Sequence, residues 1–239
     1  MYIVDGINGT WATVTGVHGA AGKSGWRQLV PGRPLRGPWE GVELARLAPG
    51  GVSGLHRHTR TNEIYLVIGG EGELSLDGRT YPMPVGHMAL TTLSSTHGIR
   101  NTGSGDFHWL VIEVPAAAAL HLVTNPKETA DVTSPAARMH PVDLAALRHI
   151  DLSPFGAAPL LDAHYEQLDE DAVVDLQAED CEIFGYLVSG AATISDADGS
   201  HALTAGVGVT LTLGEKAELR ASGEATFFWA RSKVEGADQ

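Results

Sequence analysis

Four side chains between positions 56 and 97 carry donor types that hold a metal ion: His56, His58, Glu63 and His97. His56 and His58 are two apart, so on a β-strand they share one face, with Cα atoms about 6.8 Å apart. Two imidazoles so placed can converge on one ion at about 2.1 Å each. Glu63 opens the next apolar segment, and His97 follows LTTLSST, where a turn can return it to the group. Three neutral imidazoles and one carboxylate leave a divalent first-row metal with a net charge of roughly +1 and, in an octahedral shell, two open adjacent positions. That arrangement suits a substrate chelated through two oxygens, or a substrate beside dioxygen. A lone His-x-His is more often surface decoration and a lone Glu a solvated charge. Four potential ligands in one short strand-rich region weigh towards the metal.

The elements that must position these groups are strands. Residues 41–48, 63–68, 72–76 and 107–114 alternate apolar with other residues and end in Gly, Pro or Asp-Gly, the signature of half-buried antiparallel strands. From 115 to 160 the texture changes to alanines and prolines, which predicts a connector, with a helical turn at 142–149. Strand texture then returns, because the chain repeats. A shift of 121 pairs 42–78 with 163–199, including Tyr65-Leu66-Val67 with Tyr186-Leu187-Val188 and Asp77-Gly78 with Asp198-Gly199. After a one-residue deletion, a shift of 120 pairs Gly86 with Gly206 and Phe107 and Trp109 with Phe227 and Trp229. In this alignment His56 falls on Gln177, His58 on Glu179, Glu63 on Phe184 and His97 on Ala217, so the second copy is expected to hold no metal in this way. The expected units are 1–115, with the metal site; 116–160, the connector; and 161–239, the degenerate copy.

Other side chains compete for roles. Tyr65 shares parity with Glu63 and is a candidate proton donor or substrate contact; the persistence of Tyr186 in the second copy favours an ordinary core aromatic. His108 and His87 are candidate substrate contacts, each more simply a strand or turn residue. Arg46 is placed as a candidate for holding a substrate carboxylate at the barrel mouth. The lone Cys181 excludes an internal disulfide and reads as a small buried hydrophobe.

Net charge excludes some partners. The chain has 29 Asp and Glu against 16 Lys and Arg, a formal −13, which opposes binding to nucleic acid or anionic lipid. Residues 1–119 hold nine basic and nine acidic side chains, so the second half carries the excess. No window reaches the apolar length of a membrane span and the N-terminus does not resemble a signal peptide, so the expected compartment is the cytoplasm.

The spacing Gly50-x5-His56-x-His58-x4-Glu63-x6-Gly70 resembles the first motif of the cupins at every fixed position. Gly86-x5-Thr92-x-Ser94-x2-His97-x3-Asn101 resembles the second, with Thr92 and Ser94 where the family usually has proline and glycine. The resemblance implies an all-β chain of two cupin barrels in tandem (double-stranded β-helix or jelly-roll) joined by a short, partly helical connector. It also implies one divalent transition metal (Fe, Mn, Ni or Zn) on His56, His58, Glu63 and His97, a small-molecule substrate and a homodimer. The expected activity is a metalloenzyme acting on a small oxygenated substrate, inclined to dioxygenase or other oxidoreductase chemistry. A Lewis-acid isomerase, lyase or cyclase, and a non-catalytic ligand-binding or sensory bicupin, are the alternatives.

Overall fold

The computed structural model describes residues 1–6, 10–30, 35–116, 119 and 138–234. It contains β1 (Tyr2–Asp5), β2 (Ala12–Thr15), β3 (Lys23–Gln28), β4 (Gly41–Leu47), β5 (Val52–Arg57), β6 (Thr61–Gly69), β7 (Gly72–Leu76), β8 (Arg79–Met83), β9 (His87–Thr91), β10 (Thr96–Asn101) and β11 (Phe107–Pro115). Within the connector lie β12 (Val142–Asp143), the one-turn helix α1 (Leu144–Leu147) and β13 (His149–Asp151). The second copy follows as β14 (Leu160–Leu168), β15 (Val173–Gln177), β16 (Cys181–Ser189), β17 (Ala191–Asp196), β18 (Gly199–Thr204), β19 (Val207–Leu211), β20 (Lys216–Ala221) and β21 (Ala225–Lys233).

Each copy is a sandwich of two antiparallel sheets. In the first, β12-β9-β6-β11-β4-β3-β2 faces β5-β10-β7-β8; in the second, β1-β19-β16-β21-β14-β13 faces β15-β20-β17-β18. The eight strands from β4 to β11 and those from β14 to β21 therefore pair in the same order, as the repeat predicts. The large sheets pack back to back. Ile64, Leu66, Leu110 and Ile112 of one share a buried core with Tyr165, Phe184, Tyr186 and Phe228 of the other. Each fully buried side chain of this size contributes roughly 1.5–3 kcal/mol. This sandwiching explains why β6 is buried on both faces along most of its length, rather than on alternate residues as expected of a half-buried strand.

Two exchanges tie the copies together. β1, expected with the first barrel, pairs with β19 of the second, Tyr2 opposite Thr210. β12 pairs with β9 of the first, Val142 opposite Met88. Two buried polar side chains add to this. The Glu182 carboxylate accepts from the backbone N–H of Arg36 (2.6 Å) and Gly37 (2.8 Å) and from Trp39 Nε1 (2.9 Å). Asn62 donates to the carbonyls of Gly156 (3.3 Å) and Ala158 (3.1 Å). The helical turn expected at 142–149 is α1, with Asp143 as its N-cap accepting from Ala146 N–H and Leu144 buried in the shared core. Cys181 is fully buried, and burial pushes its thiol up to about 11. Among the described residues no helix is long and apolar enough to cross a membrane.

Strand pairing corrects the register of the repeat. Between β5 and β10, Ile99 lies opposite Ser53 but His97 lies opposite His56, so β5 takes three steps where β10 takes two. In the second copy Leu219 lies opposite Val174 and Ala217 opposite Leu176, with no extra residue. The one-residue difference is thus a β-bulge at Gly54–Leu55 in the first copy, upstream of where sequence identity placed it. Beyond the bulge the shift is 120. His58 receives Ser94 N–H and donates to the Ser95 carbonyl as Ala178 does with Gly214 and Glu215. The counterparts of His56, His58, Glu63 and His97 are therefore Leu176, Ala178, Ile183 and Ala217, all in the buried core of the second barrel. The shared Tyr-Leu-Val run is one residue out of register. Tyr65 points into its barrel, whereas Tyr186 lies in the core between the large sheets.

Candidate metal centre

The bulge gives β5 its use. Ser53 is buried, Leu55 is 65% exposed, and the extra residue resets the alternation so that His56 and His58 both turn inward. Gly54 is required at this point. A Cβ there would lie 2.3 Å from the His18 carbonyl oxygen, because the turn at 17–19 packs directly on the bulge. That turn sets the His18 ring flat on His56, with centroids 3.4 Å apart and planes 9° apart. Glu63 enters from β6 and His97 from β10.

The four ligand atoms converge. His58 Nε2 is 2.8 Å from His97 Nε2, which is 2.9 Å from His56 Nε2. Glu63 Oε2 is 3.3 Å from His58 Nε2 and 3.2 Å from His97 Nε2. An octahedral ion with bonds of about 2.1 Å needs neighbouring ligands about 3.0 Å apart, so these edges fit it. The hydrogen bonding points the same way. His56 Nδ1 faces the Gly54 carbonyl and His58 Nδ1 the Thr61 carbonyl, each at 3.1 Å. Each Nδ1 therefore carries the proton, which leaves both Nε2 atoms as lone-pair donors. A proton on His97 Nε2 would satisfy one neighbour and leave the other facing it; a cation satisfies all three rings.

Burial sets the protonation. It pushes His97 down to about 2 and His56 down to about 4, so both rings are neutral at pH 7. Burial raises the Glu63 carboxyl to about 7, while His58 is raised because hydrogen bonding and attraction to Glu63 outweigh its own burial. The pair shares a proton that a metal ion would displace.

Beside these ligands lies a cavity of ≈ 620 Å³. Trp26 and Trp109 form part of its walls, and Glu43, Glu113 and Tyr65 face it. The Tyr65 ring lies 5.0 Å from that of His97, and burial holds its hydroxyl well above the usual range, so it remains a proton donor. Arg46 and His108 are not brought to the cavity. They occupy the opposite face of β4 and β11, Arg46 stacked over Trp11 at 4.6 Å and His108 edge-on to the same ring at 6.3 Å. Their even-numbered parity opposes that of Glu43, Ala45 and Trp109. The same parity, read along GVELARL and FHWLVIEV, places Glu43 and Glu113 inward, a signal in the sequence that went unused. His18, which stacks on His56, had no such signal, being far from the four candidate ligands in sequence.

Comparison with known proteins agrees with this geometry. The cupin domain family matches residues 43–113, the span from β4 to β11 that holds all four ligands. The first barrel is a cupin domain. An oxalate-binding protein of Thermotoga maritima is 36% identical to this cupin over 67 residues, 28% of the chain, which spans 55% of that relative. Salicylate 1,2-dioxygenase from Pseudoaminobacter salicylatoxidans superposes with a TM-score of 0.65 at 14% identity, covering 88% of this chain and 77% of that one. YlbA from E. coli superposes with a TM-score of 0.74 at 11% identity, covering 96% and 89%. At such identities the likeness is one of fold, and it extends over both cupin barrels.

A second group of potential ligands, His149, Asp162 and His164, lies on β13 and β14. Its carboxylate is already engaged. Arg231 Nε approaches both Asp162 oxygens, at 2.9 and 3.0 Å, and Nη2 also bonds Oδ2, while His164 stacks on Trp229 at 3.6 Å. Despite its burial, Asp162 is held down to about 2 by His164 and Arg231. This is a half-buried ion pair, away from the counterparts of the four ligands.

Proposed function

We propose that the chain is a metal-dependent cupin enzyme acting on a small oxygenated substrate chelated in the first barrel, with dioxygen-dependent oxidation as the favoured chemistry. One observation carries the proposal: three imidazole Nε2 atoms, two of them fixed as lone-pair donors, meet one buried carboxylate beside a cavity large enough for a small molecule. A divalent transition metal bound there by His56, His58, Glu63 and His97 would supply Lewis acidity and, with iron or manganese, redox capacity. The residues supply the rest. Glu63 lowers the local charge, the Gly54 and Thr61 carbonyls fix the rings, Trp26 and Trp109 exclude water, and Tyr65 offers a proton to an oxygen beside His97.

Oxygen uptake by chain reconstituted with Fe(II) or Mn(II), across keto acids, hydroxy acids, enediols and phenols, tests the redox chemistry. Substrate-dependent uptake supports it. Turnover without uptake supports the Lewis-acid alternative of isomerase, lyase or cyclase. The relative named for binding oxalate favours a third reading, ligand binding without catalysis. Saturable binding with no turnover in the same panel would support that one.

A further inference from the structure

Glu63 is one of three carboxylates in a single row. Glu113 on β11 is its direct cross-strand partner, and Gly41 on β4 lies opposite Glu113 from the other side. The Glu43 side chain folds back over Gly41, its Oε1 3.0 Å from where a Cβ would stand. Glu43 and Glu113 both line the cavity, and neither forms an ion pair with a lysine or arginine among the described residues. Glu113 accepts the Thr61 hydroxyl at 2.6 Å, and Trp26 hydrogen-bonds Glu43. Arg60 at the rim is committed to Glu40, and no ion pair joins Arg57 to either carboxylate. Two half-buried carboxylates side by side repel each other until a cation reaches them.

Trp109 closes the same wall: it is 3% exposed, and its indole Nε1 is covered, with the Tyr65 hydroxyl beside it. The cavity thus presents two anions that need a cationic donor.

We propose that the cavity takes a small zwitterion, a short amino acid or amino-hydroxy acid, with its ammonium group on Glu113 and Glu43 and its oxygens towards the metal ligands. This rests on the metal centre proposed above and narrows its substrate class.

Matched probes test the inference. Full-length chain loaded with Mn(II) is titrated calorimetrically with glycolate and glycine, glycerate and serine, 3-hydroxypropionate and β-alanine, 4-hydroxybutyrate and 4-aminobutyrate, and oxalate. In at least one pair the amino member should bind about tenfold more tightly or better, as expected for a charge-assisted contact. Glu113→Gln and Glu43→Gln should each reduce that ratio about tenfold while manganese content stays at the wild-type level. Tighter binding of the amine-free member in every pair, no binding by any probe, or an unchanged preference in both variants would overturn the zwitterion and leave the metal centre standing. A wild-type chain that takes up no metal would overturn both.

Discussion

Ser94 stands where cupins usually have glycine, and its backbone shows why: φ is +74°, in the left-handed region that glycine adopts freely. Its counterpart in the second barrel, Gly214, has φ +87°. The substitution leaves the loop intact, so His97 still arrives beside His56, at a cost in strain of about 1 kcal/mol. Ser94→Gly should therefore raise stability by about that amount in urea unfolding, with metal content unchanged. Asp162 makes a second residue-scale prediction. Its folded-state pKa is depressed, so the ion pair with Arg231 stabilises the fold above the unfolded value near 4 and loses that contribution as pH falls towards about 2. Asp162→Asn should cost about 2 kcal/mol at pH 7, because solvent at the half-exposed Arg231 screens the pair, and the gap to wild type should close as pH drops from about 4 to about 2. A gap independent of pH would show that the charge is not what Arg231 recognises. At this scale the grouping of His56, His58, Glu63 and His97 was legible, because their spacing is local and their donor types rare. The inward parity of Glu43 and Glu113 is also in the sequence, but the cavity they share depends on which strands lie side by side, and the place of His18 depends on the packing of a turn far from β5 in the chain.

The decisive element is β5. Its bulge separates a strand that aims two histidines at a common point from β15, which pairs without interruption and presents Leu176 and Ala178 to a dry core. Deleting Leu55 should remove the bulge and leave His56 opposite His97 as Leu176 lies opposite Ala217, so the ring should still face inward and metal affinity should stay far above that of His56→Ala. The fold should survive, since the second barrel shows that bulge-free pairing is stable. Circular dichroism with a metal titration would check both parts; affinity lost as in His56→Ala would show that the bulge, and not the pairing of β5 with β10, aims the ring. Sequence identity found the repeat but not this register. The Tyr-Leu-Val runs look equivalent, yet a one-residue slip puts Tyr65 in a barrel and Tyr186 between the sheets. Tyr186 is therefore not the counterpart of Tyr65, and its persistence does not make Tyr65 an ordinary core residue.

At the scale of the whole molecule, two tandem copies were legible, but their packing was not, because the runs that form the shared core are equally consistent with burial inside either barrel. The exchange of β1 and β12, the hold of Glu182 on the loop at 36–39 and the core between the large sheets make the barrels interdependent. Calorimetry should show one cooperative transition, and Glu182→Ala should lower its midpoint, at a cost of about 2–3 kcal/mol for a buried charged acceptor; two separable transitions would argue that the barrels fold alone. The charge asymmetry fits this division. The acidic half is the one whose ligand positions became Leu176, Ala178, Ile183 and Ala217, and the neutral half keeps the metal donors. The most direct test is elemental analysis of chain purified without chelator and resupplied with transition metals, beside His97→Ala and Glu179→Ala. About one ion per chain, lost in His97→Ala and retained in Glu179→Ala, is the expected result. An empty wild-type chain, or full occupancy in His97→Ala, would contradict a metal centre in the first barrel.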